Sequence, residues 1–255
     1  MPLDLAYIRE HRPQNIFLYF PSVGSTMTEA ARLIETKTPP GAVVLADEQT
    51  AGIGRLGRSW LSEPEAGIYA SIILQLPLAP AELPIASLLI GLAAAEAIQK
   101  CTHLACDLRW PNDILVDEKK AAGILPQLVN EFVIAGIGIN VNNRSFPSDL
   151  RTPAISLYLA SGGRPHSRER LTVQLLESLD NFSELLERNG REAILRAFSA
   201  ASSYVRDRRV IVEENGMRAT TCGLDSHGFL LVRPDSGAML RISSGGVRPD
   251  PGAAP

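Results

Sequence analysis

The sequence predicts an α+β protein in which a mixed, mainly antiparallel sheet packs against helices, followed by a small all-β segment. Three observations predict it. Between residues 106 and 141, short strand-like runs follow one another across tight turns, the pattern of adjacent antiparallel strands. Two segments, 82–100 and 168–188, have helical length and composition. From about residue 204 the elements become short and turn-rich, with no helical stretch.

Taken in order, residues 27–36 read as a short helix after the polar Gly24-Ser25-Thr26 turn, with Ser25 or Thr26 as its N-cap. Strands are expected at 42–47 and 68–76, then the alanine- and leucine-rich helix at 82–100. CDLRW and DILV flank the Pro111-Asn112 corner, and Asp117 to Lys119 read as a hairpin turn into AAGILPQL and FVIAGIGINV. The helix at 168–188 is stopped by Asn189-Gly190, and a second helix is expected at about 191–199. Strands at 209–214, 217–222, 229–233 and 238–243 alternate with the turn signals Asn215-Gly216, Asp225-Ser226-His227-Gly228 and Ser236-Gly237. This spacing suggests a small barrel. The organisation expected is 1–203 for a first domain, 204–247 for a second and 248–255 (RPDPGAAP) for a disordered tail.

Bulk properties exclude several classes. The 255 residues are 45% hydrophobic and 21% charged, an ordinary globular composition. A formal charge of −3 gives no global attraction for nucleic acid or a membrane surface, so an anionic ligand needs a local cluster of basic residues. The most apolar stretch, 83–98, is interrupted by Pro84, Ser87, Gly91 and Glu96 and is read as a buried core helix rather than a membrane span. The first twelve residues lack an apolar signal-peptide core. Cys101, Cys106 and Cys222 form no CxxC pair, so neither a zinc site nor a disulfide framework is indicated and the expected compartment is the cytoplasm.

Three segments carry chemistry. Residues 49–60 (QTAGIGRLGRSW) contain Gly52, Gly54 and Gly57 in a formal GxGxxG. The dinucleotide-binding reading fails on context, because polar residues separate the strand from the first glycine and Pro64 and Gly67 spoil a following helix. What remains is a glycine loop carrying Arg55 and Arg58. Its backbone can approach a ligand closely, and its guanidiniums can neutralise a carboxylate and a phosphate held side by side. A solvated surface loop is the bland alternative. In the second segment, 109–125 (RWPNDILVDEKKAAGIL), Asn112 and Asp113 sit at a proline corner beside a buried-looking strand. A carboxylate is costly there without partners, and Lys120 returns opposite Asp113 or close to it. That lysine can offset negative charge on a reacting ligand, although a solvated turn would also suit Lys119 and Lys120. The third segment, 136–143 (GIGINVNN), ends in Asn140, Asn142 and Asn143. It reads equally well as a tightly packed core strand or as a place for an asparagine to contact a nucleotide.

Together, in this order and spacing, the segments resemble the biotin protein ligase family: its GRGRxGRxW loop, its KWPND…KxxGIL hairpin and its GIGINVN strand. The resemblance runs from about Phe20 to Asn143. It implies a class II synthetase-like, biotin-lipoate ligase fold with an SH3-like C-terminal barrel. It also implies a two-step reaction, in which biotin and ATP give biotinyl-5′-AMP and the adenylate then acylates a lysine of a biotin carboxyl carrier protein. By motif position, Ser25, Thr26 and Gln49 match residues that hydrogen-bond biotin's ureido ring, with Met27, Ile53, Gly54, Arg55 and Lys120 completing the biotin side. Gly52, Arg55, Arg58, Asn112 and Asn140 match adenylate-side positions. Lys120, Arg55, Arg58 and Asp113 are the expected catalytic set, with Asp113 either accepting the amine proton or, preferably, orienting Lys120. ATP and Mg2+ are the implied cofactors, with no protein metal ligand assigned, and a monomer or homodimer is expected. Two positions depart from the family. Its first loop arginine is Ile53 here, and its Ser-Thr-Asn is Ser25-Thr26-Met27. Only about 20 residues precede the Ser-Thr motif, so a catalytic-only type without a helix-turn-helix is expected. The alternatives are a lipoate or other acyl ligase of the same superfamily, and a non-catalytic biotin-binding protein.

Overall fold

The computed structural model describes residues 1–235 and 237–252. Ser236, part of an expected turn, and the last three residues of the expected tail lie outside the described residues.

Twelve strands form two sheets among the described residues. In the first, β1 (Phe17–Phe20), β2 (Val43–Ala46), β3 (Ile68–Leu74), β4 (Asp107–Arg109), β5 (Asp113–Val116), β6 (Lys119–Val129) and β7 (Phe132–Ile139) lie in the order β1-β2-β3-β7-β6-β5-β4. Every pairing is antiparallel except β1 with β2. That parallel pair is joined by α2 (Thr26–Glu35), as a crossover requires. The expected mixed, mainly antiparallel sheet is therefore present. β1 was not expected, although its aromatic run has strand composition.

Helices cover the sheet unequally. α3 (Leu83–Thr102) is apolar on nearly every side, and α5 (Arg168–Asn189), α6 (Arg191–Ala200) and the sheet supply its cover. α3 is also the one described helix long and apolar enough to cross a membrane, and most of its apolar window is buried within the protein, as a core helix requires. α5 ends where Gly190 takes φ 71°, the left-handed region that glycine enters without steric cost. On the other face, α2 packs Met27, Ala30 and Ile34 against Val44, Ile73 and Ile134. A short N-terminal helix, α1 (Leu5–His11), is capped by the Asp4 carboxylate accepting from the Ala6 and Tyr7 amides. A single turn, α4 (Leu157–Ala160), follows the strand β7 region.

The second sheet contains β8 (Arg206–Val212), β9 (Arg218–Leu224), β10 (Leu230–Pro234), β11 (Leu240–Ile242) and β12 (Val247–Pro249), in the order β11-β10-β9-β8-β12. The tail expected to be disordered from residue 248 is corrected at its start. Arg248 and Pro249 belong to β12, which pairs with Val210 and Ile211 of β8 and so finds backbone partners that its composition did not advertise. The hydrophobic cores of the two sheets are continuous: Val210, Leu230, Val232 and Val247 join the cluster built on α3. At the junction, the Trp110 indole N–H donates to the Gly228 carbonyl at 2.9 Å.

A buried ion pair fastens the other end of the first sheet. Arg168, at the start of α5, donates to Asp47 at 2.7 Å, and both side chains are about 95% buried. The same guanidinium reaches the Met1 and Gly67 carbonyls, and Asp47 also accepts from the Leu3 amide and the Tyr19 hydroxyl. Burial and that bond to Asp47 push the Tyr19 phenol up to about 12. Arg168→Met leaves Asp47 buried without its cation, so urea unfolding should show a loss of about 3–5 kcal/mol. A midpoint unchanged from the parent would refute the role assigned to the pair.

Candidate active site

Strand alternation decides where the site lies. Val133, Ala135, Ile137 and Ile139 of β7 join the core beneath α3, whereas Ile134 packs with α2. Gly136 and Gly138 therefore face the α2 side, beyond the end of that helix. A Cβ on Gly136 would stand 2.5 Å from Met27 Sδ, and one on Gly138 would stand 2.3 Å from Trp60 Cε2. Gly123 of β6 pairs directly with Gly138, and a Cβ there would meet Trp60 Cζ3 at 2.8 Å. Two facing glycines thus make a flat bed for the Trp60 indole, which any side chain would displace.

Lys120 reaches this bed through a register shift. Asp113 pairs with Gly123 and Ile114 with Ala122, but Leu115 pairs with Lys120. The extra residue on β6 is a bulge, and it reverses the parity that would otherwise send Lys120 to the opposite side from Gly123. The Asp117-Glu118 turn, with φ 49° and 60° at its two residues, closes the hairpin where expected. Lys120 is not opposite Asp113 along the ladder, yet its Nζ lies 2.6 Å from Asp113 Oδ1 and 5.3 Å from the centre of the Trp60 ring. Arg109 donates to the other oxygen of Asp113 at 2.6 Å. Burial pushes the Asp113 carboxyl up, but the Lys120 and Arg109 cations outweigh it and hold the group below the usual carboxylate range.

The glycine loop closes over the bed. Gly54 N–H donates to the Arg58 carbonyl at 2.6 Å and Trp60 N–H to the Gly52 carbonyl at 2.9 Å, while Leu56 at the loop tip adopts φ 58°. Arg55 is tied inward, donating to Asn112 Oδ1 at 3.2 Å and to the Gly245 carbonyl at 2.9 Å. Burial lowers the Arg55 pKa from the usual arginine value. Arg58 points to the rim, 3.7 Å from Glu213 at the end of the second sheet, and Arg151 lies 3.3 Å from the same carboxylate.

Three adjoining hollows result. The innermost is lined by Thr26, Met27, Gln49, Ile53, Gly54, Arg55, Asn112 and Lys120, with Trp60 and Gly136 to Gly138 as its floor. The second joins Arg55, Arg58, Asn112, Asp113 and Lys120 to Glu213, Gly245 and Gly246. The third has the apolar walls Trp60, Phe146 and Leu150, with Arg58, Lys120, Asn140 and Arg151 as its polar lining. Ser25 and Gly52 sit behind the innermost wall. Ser25 takes the N-cap position of α2 without a side-chain capping bond, and its buried Oγ has no protein partner. A Cβ on Gly52 would meet the Trp60 carbonyl at 2.6 Å. Gln49 Oε1 accepts from the Thr26 amide and hydroxyl at 2.9 and 3.1 Å, and its Nε2 donates to Ser62 Oγ at 3.0 Å. Asn140 is buried, its amide donating to the Lys120 and Ile155 carbonyls at 3.3 and 3.2 Å, so it pins the backbone that carries Lys120. All the expected site residues thus fall in one region. Sequence reasoning missed Arg109, Arg151, Glu213 and the floor role of Trp60. The paired glycines were the available signal for the tryptophan. Arg109 opens the 109–125 segment, four residues before Asp113, so its signal was local, whereas Arg151 and Glu213 come from positions up to 155 residues from Arg58, with nothing local to mark them.

The innermost hollow suits a small, partly apolar molecule with a polar head, and the next is built for negative charge. Residues 19–142 match the model of the biotin/lipoate A/B protein ligase family. The chain is 32% identical to the bifunctional ligase/repressor BirA of Bacillus spizizenii over 238 residues, covering 91% of this chain and 70% of that one. It is also 32% identical to the biotin–[acetyl-CoA-carboxylase] ligase of Mycobacterium tuberculosis, over 76% of this chain and 73% of the relative. The structure superposes on the Aquifex aeolicus biotin protein ligase in complex with biotin and ATP with a TM-score of 0.78 and 30% identity, covering 91% and 97% of the two chains. The chain belongs to the biotin protein ligase family.

The depressed Asp113 pKa has a pH consequence with a definite sign. The unfolded carboxyl takes up a proton near pH 3.9 and the folded one only below that, so the stabilisation is present above about pH 4 and is lost as pH falls further. Acid unfolding of Asp113→Asn, followed from pH 5 downward, should show a shallower fall in stability than the parent. Equal slopes would mean that the carboxylate is not held by its cations.

Proposed function

We propose that this ligase activates biotin with ATP to biotinyl-5′-AMP, releasing pyrophosphate, and passes the biotinyl group to a lysine of a biotin carboxyl carrier protein. One observation carries the assignment of roles: the Lys120 ammonium stands over the glycine-floored bed, between a hollow for a small polar-headed acid and a hollow lined with guanidiniums.

In the first step a biotin carboxylate oxygen attacks the α-phosphorus, and the bond to the bridging oxygen of the β-phosphate breaks. Charge builds on the α-phosphoryl oxygens and on the departing pyrophosphate. Lys120 and Arg55 are positioned for the former and Arg58 for the latter, where fixed cations lower the barrier because they need not reorganise. Gln49, Thr26 and the orphaned Ser25 hydroxyl supply neutral donors and acceptors for a urea ring. Met27 and Ile53, polar or cationic in the family pattern, give this hollow a more apolar wall. The base is assigned to the third hollow, against Trp60, Phe146 and Leu150.

In the second step the neutral carrier amine attacks the mixed anhydride, AMP leaves and the amine loses its proton. Asp113 is a poor candidate for taking it, since its carboxyl is held below the usual range by Lys120 and Arg109. Its role is to position Lys120. Magnesium finds no protein cage: among the described residues no three of His, Cys, Asp and Glu converge, and Asp113 and Glu213 are each shared between two cations. The donor set does not fit a protein-held ion. The working compartment proposed is the cytoplasm, where ATP is present and the three free cysteines stay reduced. The second sheet is proposed as an SH3-like domain from about residue 204.

The test is acid-dependent exchange of labelled pyrophosphate into ATP. Exchange is expected with biotin and not with lipoate, and the reverse result would overturn the reading. Lys120→Ala should reduce exchange by about a hundredfold or more, while circular dichroism reports an intact fold. A loss of only about threefold would be too small for a charge placed on the reacting phosphoryl group.

A further inference from the structure

Among the described residues lining the cleft, Glu213 is the one carboxylate that the second sheet contributes. It follows the last residue of β8, its backbone N–H donates to the Gly246 carbonyl at 2.9 Å, and its side chain is 11% exposed. Its Oε2 lies 3.7 Å from Arg58 and 3.3 Å from Arg151. Its field also reaches Arg55, whose charged form it favours. Arg58 and Arg151 come from separate loops, both line the third hollow and Arg58 the second as well, and each guanidinium is about half exposed.

These are the cations that a polyphosphate entering between the second and third hollows would meet. A carboxylate at more than 3 Å, shared between two partly solvated guanidiniums, is a weak partner. A phosphate chain carries more charge and offers bidentate acceptors, so it is a stronger one. Glu213 and the phosphates cannot both own the same donors.

We infer that Glu213 is a place-holding carboxylate that positions Arg58 and Arg151 across the cleft and surrenders them to the triphosphate of ATP. The inference rests on the proposed function. It has two consequences of opposite sign. Holding the guanidiniums in place orders the loop that must close over the acid. Competing for them makes the protein bind the nucleotide less tightly than the cations alone would, which favours release of pyrophosphate once the α–β bond has broken. Glu213 is a positioning residue, acting through the arginines.

The experiment uses the full chain and an ATP analogue with a methylene between the α- and β-phosphorus, which cannot react. Glu213→Gln keeps the shape and removes the charge. Calorimetry should show the analogue binding about fivefold more tightly to this variant than to the parent. In the double variant Glu213→Gln/Arg151→Ala that gain should shrink to less than about twofold, since one of the released cations is gone. A residue that merely supports the fold would behave oppositely, lowering the melting temperature and weakening the analogue. Affinity equal to or below the parent's in Glu213→Gln overturns the inference, as does absence of analogue binding in both proteins. Biotin-dependent pyrophosphate exchange by the parent, run alongside, reports on the proposed function separately, so a working ligase with an unaltered Glu213→Gln affinity defeats this inference alone.

Discussion

A carboxylate buried between two cations sets the terms for the rest of the site. Asp113 lies at a proline corner where an unpaired charge would be costly, and Lys120 and Arg109 close on its two oxygens at 2.6 Å. Lys120 can get there only because β6 carries one extra residue between Lys120 and Gly123. Strict alternation would put the lysine in the core beneath α3. The bulge, the paired glycines and the bed for Trp60 are thus parts of one solution: they bring a long cation onto a sheet face and leave its outer side accessible. Around that fixed point, Arg55 is anchored by Asn112 and the Gly245 carbonyl, while Arg58 stays at the rim.

The two sheets are coupled by the same logic. Their apolar cores merge, and the Trp110–Gly228 bond and the Arg55–Gly245 bond span the junction. The second sheet therefore supplies part of the cleft wall, and the glycine loop rests on it through Arg55. A loop rich in glycine would otherwise have many conformations to lose on closing. Anchoring it at one end limits that loss while leaving its tip, Leu56, exposed.

Legibility in the sequence followed the range of the interactions involved. The α5 stop at Gly190, the Asp117-Glu118 turn and the α3 core helix depend on neighbouring residues, and all were readable. So were the three motif segments, because each keeps its functional residues within about a dozen positions. The seven-residue α1 is too short for periodicity to declare it. β12 was misread because its proline- and charge-rich composition resembles a loose end, although it has β8 to pair with. The parity of Lys120 and the convergence of Arg58, Arg151 and Glu213 depend on register and long-range packing, which no local pattern encodes.

The glycine pair on β6 and β7 also limits how this pocket can be remodelled. Both Cβ directions point into the indole, so the floor cannot be raised or recontoured from those strands. Variation in the shape of the acid that fits must come from the walls, where Met27 and Ile53 can trade volume without moving the sheet. Enlarging the binding range of such a ligase is therefore a matter of editing the sides of a room whose foundation is fixed.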